Sequence, residues 1–367
     1  MSDVISLGIL VADVVAKPIK QWPEEGQLIL VDQFELHTGG CAMNTAVALS
    51  RLGLSAGIIG KVGQDAFGDY LVAALQREGV DTAGIRRQEG VNTSASMVCV
   101  TPSGERSFIH YLGANAELGA EDVDFDIVER AKVLHVGAAL LIPKLDGAPL
   151  AGVLKRAQEL GVTTVLDTAW DGRGRWMEAV GPCLPYTDYC VPSYEEARML
   201  TGERDPAAIA RVFLAAGVKY VGIKLGEKGC YVRSAHEEYH LPPYQVEAVD
   251  ATGAGDSWVA GFITGIVTGR SLVETARLGN AVGAMSVTAM GASNGIRSLA
   301  ETEEFMRQTP VREGGRRLPG ERTPTGADAS RPLRSVLTGR ERSVRFSVSR
   351  VPGGHSARAS ATHYPPQ

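Results

Sequence analysis

The chain has 367 residues, a formal net charge of −5 at pH 7, and a composition that is 44% hydrophobic and 22% charged. These values are typical of a globular protein with one large α/β domain or two medium ones, and they exclude a chain that is disordered throughout. The five cysteines, at positions 41, 99, 183, 190 and 230, have no metal-ligand spacing, so we expect reduced thiols in a cytoplasmic protein and no structural zinc site.

The first predicted element is a strand at residues 4–11. This apolar run lacks a basic leader and is too short to span a bilayer, so we expect neither a signal segment nor a membrane partner. Strands then alternate with helices as far as residue 308, which is the pattern of a doubly wound sheet. In chain order, the further predicted elements are a helix at 44–52, a strand at 56–61, a helix at 67–77, a strand at 133–136, a helix at 150–160, strands at 163–166 and 189–191, a helix at 207–216 and a strand at 220–224.

Two stretches break this alternation. Residues 28–37 and 93–111 have strand-like sequences of mixed polarity, and the second stretch turns at 102–105. We predict that they form a small antiparallel sheet that projects from the main domain as a lid.

The charge is distributed unevenly along the chain. Residues 309–367 contain eleven Arg, no Lys and four acidic residues, a local balance of +7, whereas residues 1–308 carry −12. The tail also has seven Pro, seven Gly and no helical or strand period, so we predict that it is disordered. A basic tail could contact nucleic acid or anionic lipid, but such charge runs are usually solvated, and we expect no nucleic-acid partner.

The most restrictive segment is DATGAGD at residues 250–256, which precedes an apolar stretch typical of a helix. Gly253 and Gly255 allow the backbone to approach an anion, and the positive end of the helix dipole favours one there. A carboxylate at Asp256, beside a bound phosphate, is what phosphoryl transfer to an alcohol requires of a general base. The alternative interpretation is an ordinary glycine turn before a buried helix.

A second small-residue segment, GGCAMNTAVALSRLG at residues 39–53, also opens a predicted helix. Asn44, one turn inside, offers both a donor and an acceptor to a polyol, or it simply caps the helix. Asp13 follows the first strand, at the edge of the sheet where open α/β folds bind ligands. Its carboxylate could accept hydrogen bonds from two sugar hydroxyls, although an acid there is more often a turn residue.

Two further segments are compatible with a nucleotide site. Residues 221–230 form a glycine-rich connection that could pass close to a nucleotide or be a plain hairpin, and residues 191–197 place acids in the first turn of a helix. The sequence contains no P-loop and no dinucleotide-binding fingerprint, so any use of ATP requires another kind of site.

In this order and at this spacing, the segments resemble the ribokinase family of carbohydrate kinases, also called phosphofructokinase-B-type, over roughly residues 1–308. The resemblance implies a mostly parallel sheet flanked by helices, a β-sheet lid over the sugar, and Mg²⁺-dependent transfer of the γ-phosphoryl group of ATP to an alcohol. It also implies that Asp256 is the catalytic base. The backbone amides implied to form an anion hole are those of Gly253, Ala254 and Gly255.

The resemblance also implies two sets of ligand-binding residues. The sugar set comprises Asp13, Gly39, Gly40, Asn44 and Asn115. The nucleotide set comprises Ser193, Lys224, Gly226, Gly229 and Asn280.

One motif departs from the family pattern. Glu196 matches the acid of an Asn-x-x-Glu motif that is linked to Mg²⁺ through water, but Ser193 stands where Asn is expected. Serine is shorter and lacks the amide donor, so we expect a water-mediated phosphate contact and a modest effect on nucleotide affinity. Many relatives also bind a monovalent cation such as K⁺ through backbone carbonyls. By similarity, that site would comprise Asp250, Thr252, Ser286, Ala289 and Gly291.

Substrate identity is expected to depend on the lid strands, where Val98, Arg106, Phe108 and His110 are candidates to face the sugar. Arg106 could bind a substrate phosphate, but beside a turn it is more typical of surface charge. We favour an unphosphorylated pentose or ketohexose, with a nucleoside as the close alternative and a sugar phosphate third. A catalytically inactive, ligand-binding family member is a different class of answer. A homodimer formed through the lid is a candidate assembly.

Overall fold

The structure is a computed structural model that describes residues 2–312, so the predicted tail beyond Arg312 lies outside the described residues. The strands of this part, in chain order, are β1 (Val4–Gly8), β2 (Val11–Lys17), β3 (Gln33–Gly39), β4 (Ala56–Gly63), β5 (Asp81–Gln88), β6 (Ala95–Val100), β7 (Arg106–Tyr111), β8 (Val133–Ala139), β9 (Thr163–Thr168), β10 (Tyr189–Cys190), β11 (Tyr220–Lys224), β12 (Cys230–Arg233) and β13 (Glu238–Leu241). The helices are α1 (Cys41–Arg51), α2 (Ala66–Arg77), α3 (Phe125–Val128), α4 (Ala148–Glu159), α5 (Trp176–Val180), α6 (Tyr194–Thr201), α7 (Pro206–Ala215), α8 (Ala254–Val267), α9 (Leu272–Ser286) and α10 (Leu299–Gln308).

The large sheet has the strand order β13-β12-β11-β10-β9-β8-β1-β4-β5. Pairing is parallel from β11 through to β5, and the antiparallel pairs β11–β12 and β12–β13 form one edge. The predicted doubly wound, mostly parallel sheet is therefore confirmed. In such a sheet the carboxyl ends of neighbouring strands meet at one edge, where ligands bind.

Helices cover both faces of this sheet, because its buried strands present apolar side chains on each side. On one face, Ile5 of β1 belongs to the same apolar cluster as Leu154 of α4 and Phe213 of α7. On the other face, Val4 clusters with Leu49 of α1 and Phe262 of α8. Adjacent residues of one strand thus anchor opposite helical layers, and the second layer carries the two glycine-started helices.

The lid is a four-stranded sheet of order β3-β2-β6-β7. Its outer pairs, β2–β3 and β6–β7, are antiparallel, but its central pair, β2–β6, is parallel. The predicted small β-sheet lid is therefore confirmed and two of its three strand pairs are antiparallel, but the central pair is not. The predicted single strand at residues 4–11 corresponds to parts of two strands, because the chain leaves the large sheet at Gly8 and enters the lid as β2 at Val11. The predicted lid strand at 28–37 begins only at Gln33.

The described residues extend four positions into the predicted tail. The Gln245 amide donates to the Pro310 carbonyl at 2.9 Å, and the Arg312 amide donates to the Pro243 carbonyl at 3.0 Å. Backbone pairing with the domain therefore continues beyond residue 308, as far as Arg312. All five cysteines are free thiols, as expected. Within residues 2–312, no helix is long and apolar enough to cross a membrane.

Candidate active site

Two helix N-termini converge on Asp256, in the first turn of α8. The Asn44 side chain, in the first turn of α1, donates a hydrogen bond of 2.8 Å from Nδ2 to Asp256 Oδ2. The Thr45 hydroxyl adds a longer contact of 3.4 Å to the Asp256 carbonyl. The structure thus brings together the two motifs that the sequence analysis selected, although they lie 212 residues apart.

Both helices begin at glycines that another residue could not replace without strain. Gly253, at the N-cap of α8, has φ +68°, and a Cβ there would lie 2.6 Å from the Ala292 Cβ. Gly40, at the N-cap of α1, has φ +96°, and its Cβ would lie 2.4 Å from the Ile9 carbonyl oxygen. The chain therefore passes these two points with no room for a side chain, which leaves backbone amides facing the site.

The amides at the start of α8 are only partly used by the protein. The Ala254 amide closes a turn onto the Ala251 carbonyl at 3.2 Å. Regular intrahelical bonding begins with the Ser257 amide, which donates to the Gly253 carbonyl at 2.8 Å. The first turn of this 14-residue helix therefore presents the positive end of its dipole beside the Asp256 carboxylate.

Asp256 is buried, with 9% of its surface exposed. Burial raises the pKa of its carboxyl, and the hydrogen bond from Asn44 and the ammonium of Lys224 partly offset that rise. Cys41 also hydrogen-bonds this carboxylate, and burial raises the pKa of its thiol well above the ordinary value. A carboxylate with a raised pKa and few competing partners is suited to accept a proton.

A buried ion pair lies next to Asp256. The Lys224 Nζ, at the end of β11, is 2.7 Å from Oδ1 and 2.8 Å from Oδ2 of Asp167, near the end of β9. Lys224 belongs to the segment predicted as a nucleotide loop, whereas Asp167 is not among the predicted site residues. The available signal was position, since Asp167 directly follows the predicted strand at 163–166, at the ligand-binding edge of the sheet.

Glu196 is held in place by a capping box at the start of α6. The Ser193 hydroxyl accepts from the Glu196 amide at 3.4 Å, and the Ser193 amide donates to Glu196 Oε2 at 3.0 Å. The Thr168 hydroxyl, at the end of β9, donates to the same oxygen at 3.0 Å. The serine that departs from the family pattern therefore serves as the N-cap, a role that Asn also fills.

A cross-strand row of polar residues spans the lid. In register, Asp13 of β2 lies between His37 of β3 and Ser96 of β6, and Ser96 pairs with His110 of β7. The Ser96 Oγ is 3.0 Å from His110 Nδ1 and also hydrogen-bonds Asp13, whose pKa burial raises. Asp13 is therefore on a lid strand rather than in a turn. A Cβ at Gly39 would lie 2.1 Å from the Oδ2 atom of Asp13, so only glycine fits at position 39 without displacing this carboxylate.

Arg106 connects the lid to the glycine loop. Its Nη2 lies 2.7 Å from Asp250 Oδ1, and the amides of Thr252 and Gly291 each donate to the Asp250 carboxylate at 2.9 Å. Burial opposes ionisation of Asp250, but these donors outweigh it and lower the pKa to about 2. The expectation that Arg106 is surface charge is wrong. Alternation along β7 places Phe108 and His110 on the same side as Arg106, so that side is turned toward the loop.

The segments predicted to bind a monovalent cation lie against each other. The amides of Val249 and Asp250 donate to the Val287 carbonyl at 2.7 and 3.1 Å. This brings the start of the glycine loop beside the chain that returns after α9. The five predicted ligands on these two segments are Asp250, Thr252, Ser286, Ala289 and Gly291.

Two predicted ligand residues use their side chains within the protein. Asn115 is fully buried; its Oδ1 accepts from the Leu10 amide at 3.2 Å and its Nδ2 donates to the Leu10 carbonyl at 2.9 Å. Asn280 accepts from Trp258 Nε1 at 2.9 Å and donates to the Pro242 carbonyl at 3.0 Å. These contacts indicate that both amides support the walls of the site. Direct contact with sugar or adenine would require them to exchange partners.

The rest of the predicted nucleotide loop forms the connection between β11 and β12. Gly226 begins a 3₁₀ turn, Gly226–Lys228, that is exposed to solvent, and Gly229 closes it with φ +84°. The Leu225 amide donates to the Gly229 carbonyl at 2.8 Å, so the connection is a tight hairpin. It lies at the same sheet edge as Lys224 and α8, which leaves it available to a ligand there.

The chain is similar in sequence and in fold to proteins of known family. The chain is 30% identical to a ribokinase of Haemophilus influenzae, and the match covers 82% of this chain and 97% of the relative. It is also 30% identical to fructokinase-1 of Zea mays, and that match covers 73% of this chain and 88% of the relative. An E. coli protein assigned as a ribokinase II, in complex with ATP and Mg²⁺, superposes with a TM-score of 0.71 at 28% identity, covering 84% of this chain and 99% of that one. Residues 1–299 match the model of the pfkB family of carbohydrate kinases, and the chain therefore belongs to that family.

Proposed function

We propose that this sugar kinase transfers the γ-phosphoryl group of ATP to a hydroxyl of a small unphosphorylated sugar of the ribose or fructose kind, with Asp256 as the general base. The observation that carries the proposal is the buried Asp256 carboxylate in the first turn of α8, bonded to Asn44. The ribokinase and fructokinase relatives support the substrate class.

The proton step follows from the surroundings of Asp256. Asn44 occupies one lone pair of Oδ2, which leaves other carboxylate lone pairs free to accept the proton of a sugar hydroxyl. Because burial raises the pKa of the carboxyl, proton transfer to it is less unfavourable than to an exposed aspartate. The Asn44 bond also fixes the carboxylate orientation, which favours in-line attack of the sugar oxygen.

Charge on the transferring group would be stabilised by the start of α8. The amides of Gly253, Ala254 and Gly255, together with the helix dipole, are oriented before the reaction begins. ATP would approach from the side of the Gly226–Lys228 turn, with Gly229 and Asn280 near the nucleotide. This arrangement is a phosphoryl-transfer site without a P-loop.

The residues present fit a magnesium ion that enters with the nucleotide. Within residues 2–312, no group of three or more His, Cys, Asp or Glu side chains is arranged to hold a metal ion. Mg²⁺ in kinases is typically held by one or two carboxylates together with waters and substrate phosphates, so Glu196, through water, is a sufficient protein contribution. When bound, Mg²⁺ would supply neutralisation of phosphate charge. Ser193 and Thr168 orient the Glu196 carboxylate for this role.

The acceptor sugar would lie between α1 and the lid. Asp13, Gly39 and Gly40 surround the entry to α1, and Asn44 extends toward Asp256. The raised pKa of Asp13 and its bond to Ser96 suit a carboxylate that accepts hydroxyl hydrogen bonds in a partly dry site. Lid closure would bring His110 and Phe108 over the sugar.

A monovalent cation such as K⁺ would stabilise the loop at 250–256. The two segments that would supply the backbone carbonyl oxygens are already held together through Val287. Dependence of kcat on K⁺, with Na⁺ as the comparison ion, tests this part of the proposal. Equal kcat in both salts would remove the cation site from it.

The lid also carries a surface suited to a second copy of the chain. Alternation places Phe34, Leu36, Met97, Ile109 and Tyr111 on the side opposite Arg106, and all five are exposed apolar side chains. We expect a homodimer that buries this surface. Sedimentation of the wild type and of Ile109→Asp tests it, and a monomeric wild type at micromolar concentration would contradict it.

The experiment that tests the function is an ADP-release screen with ATP and Mg²⁺ over pentoses, hexoses, sugar phosphates and nucleosides, with and without K⁺. Turnover of an unphosphorylated sugar supports the proposal. Preference for a nucleoside or a sugar phosphate would replace the substrate class while retaining the reaction. A folded protein inactive toward every class would overturn the kinase proposal and favour a ligand-binding role.

A further inference from the structure

We infer that Lys224 is a catalytic residue whose ammonium contacts the transferring phosphoryl group, and that Asp167 is the positioning residue that holds it there. The inference rests on the proposed function and deepens it. The family resemblance implies that Lys224 begins a nucleotide loop, and it implies no role for Asp167. The structure instead places both side chains beside the glycine loop and Asp256.

The first observation is the geometry of the pair. Lys224 and Asp167 are on β11 and β9, so the lysine side chain reaches past the intervening strand β10 to bond both carboxylate oxygens, at 2.7 and 2.8 Å. The side chains are 12% and 2% exposed. A buried ion pair contributes little to the free energy of unfolding, because desolvation of the two charges offsets much of their attraction. Its position at the ligand-binding edge of the sheet points to a functional use.

The second observation is the location of the ammonium. A Cβ built on Gly255 would lie 3.7 Å from Lys224 Nζ, so the charge is next to the amide implied to form the anion hole. An ammonium has three donors, and Asp167 accepts two of them. Among residues 2–312, the third has no hydrogen-bond acceptor. A phosphoryl oxygen at the start of α8 would be within its reach.

The third observation is the local charge. Lys224 interacts with three carboxylates, those of Asp167, Glu196 and Asp256. Burial disfavours the charged ammonium, but the attraction of these carboxylates outweighs it and raises the pKa of Lys224, so the group is charged at neutral pH. A polyphosphate entering this acidic cluster needs a nearby cation, and Lys224 is the cation that the cluster contains.

Phosphoryl transfer in this site requires only ATP, the sugar hydroxyl and Asp256 as the proton acceptor. The bond between the γ-phosphorus and the bridging oxygen of ATP breaks as the bond to the sugar oxygen forms, and the hydroxyl proton passes to Asp256. Lys224 keeps its proton and donates a hydrogen bond to an oxygen of the transferring group, where charge redistributes in the transition state.

The test compares Lys224→Met, Lys224→Arg, Asp167→Asn and the double variant Lys224→Met/Asp167→Asn with the wild type. Lys219→Met is the matched control, because Lys219 also pairs with an aspartate, Asp188 at 2.6 Å, but is 65% exposed. We expect Lys224→Met to lower kcat by about 10²–10³, the range for loss of one transition-state donor, with the sugar KM and the ADP dissociation constant within about threefold. Lys224→Arg should recover part of kcat, and Lys219→Met should match the wild type.

Two further readouts separate catalysis from folding. If the pair were merely structural, the neutral double variant would regain kcat because no unpaired charge remains; we expect it to stay as slow as Lys224→Met. Binding of ADP with aluminium fluoride and sugar, measured by calorimetry, should weaken in Lys224→Met while binding of ADP alone does not.

Three results would overturn the inference while leaving the proposed function intact: a wild-type kcat in Lys224→Met, a loss confined to ADP affinity, or full recovery in the double variant. Absence of phosphoryl transfer by the wild type itself would overturn both. Asp167→Asn should lower kcat less than Lys224→Met, because the lysine remains present but less well oriented. An Asp167→Asn enzyme slower than Lys224→Met would assign the direct role to the carboxylate instead.

Discussion

The Asn44 side chain donates a 2.8 Å hydrogen bond to the Asp256 carboxylate, and this contact joins the first turns of α1 and α8. It connects the part of the site that would hold the sugar with the part that would hold the transferring phosphoryl group. The bond favours the ionised carboxylate, whereas burial favours the neutral one. The balance between these two effects would set how readily Asp256 acts as the proposed base.

Replacing the proposed general base should abolish most turnover. We expect Asp256→Asn to lower kcat by about 10²–10⁴, the usual contribution of a positioned general base, while sugar and nucleotide still bind. ADP release and calorimetric binding measure the two quantities separately. A variant with a kcat close to that of the wild type would show that Asp256 is not the base.

Removing the donor to the base should change the pH dependence. Because the Asn44 bond lowers the pKa of Asp256, its loss in Asn44→Ala should raise that pKa, so the base is protonated at higher pH than in the wild type. The acid limb of the kcat–pH profile should therefore move to higher pH. Gln88→Ala, at a half-buried position at the end of β5, serves as control. An unshifted or downward-shifted limb would contradict the assignment.

Breaking the ion pair between lid and loop should weaken sugar binding. In Arg106→Gln the lid loses its contact with Asp250, so we expect the sugar KM to rise about fivefold, the factor that corresponds to ~1 kcal/mol. Arg87→Gln is the control. Arg87 forms an ion pair of 2.8 Å with the exposed Asp69, and this pair does not involve the loop. If both variants change KM equally, the Arg106 contact has no special role.

A methyl group at the N-cap of α8 should displace the proposed anion hole. Gly253→Ala combines an unfavourable φ with a clash against Ala292, so we expect both lower stability and a kcat reduced by about 10²–10³. Gly269→Ala has a similar φ of +71° but nothing within 4 Å, and should cost only ~1 kcal/mol of unfolding free energy. Denaturant unfolding and kcat distinguish the two effects. Equal kcat in the two variants would argue against the loop as the anion site.

The serine that departs from the family pattern allows a gain to be tested. Ser193→Asn keeps an N-cap for α6 and adds an amide donor, so we expect the ATP KM to fall by a few-fold with little change in stability. Ser193→Ala should instead lose ~1 kcal/mol of unfolding free energy with its cap. An unchanged ATP KM in Ser193→Asn would indicate that this position does not contact phosphate.

Local patterns predicted most of the architecture. The alternation of apolar strands and helices identified the parallel sheet, and glycine pairs before apolar helices identified the starts of α1 and α8. Strand pairing in the lid was less predictable, because short strands of mixed polarity do not specify their neighbours. Hence β2 was missed and the parallel pair β2–β6 was not expected.

The candidate active site also has features that local sequence predicts and features that depend on tertiary structure. The sequence by itself determined the glycine-rich start of α8 and the position of Asp256 in its first turn, because both are local features of the chain. Tertiary structure decided the partners: Asn44 at Asp256, Arg106 at Asp250 and Asp167 at Lys224, separated by 212, 144 and 57 residues. Such contacts depend on which strand ends meet at the sheet edge and which helices pack together. Strand order and helix packing are properties of the folded chain, and they leave no periodic signal in the sequence around the two residues of each pair.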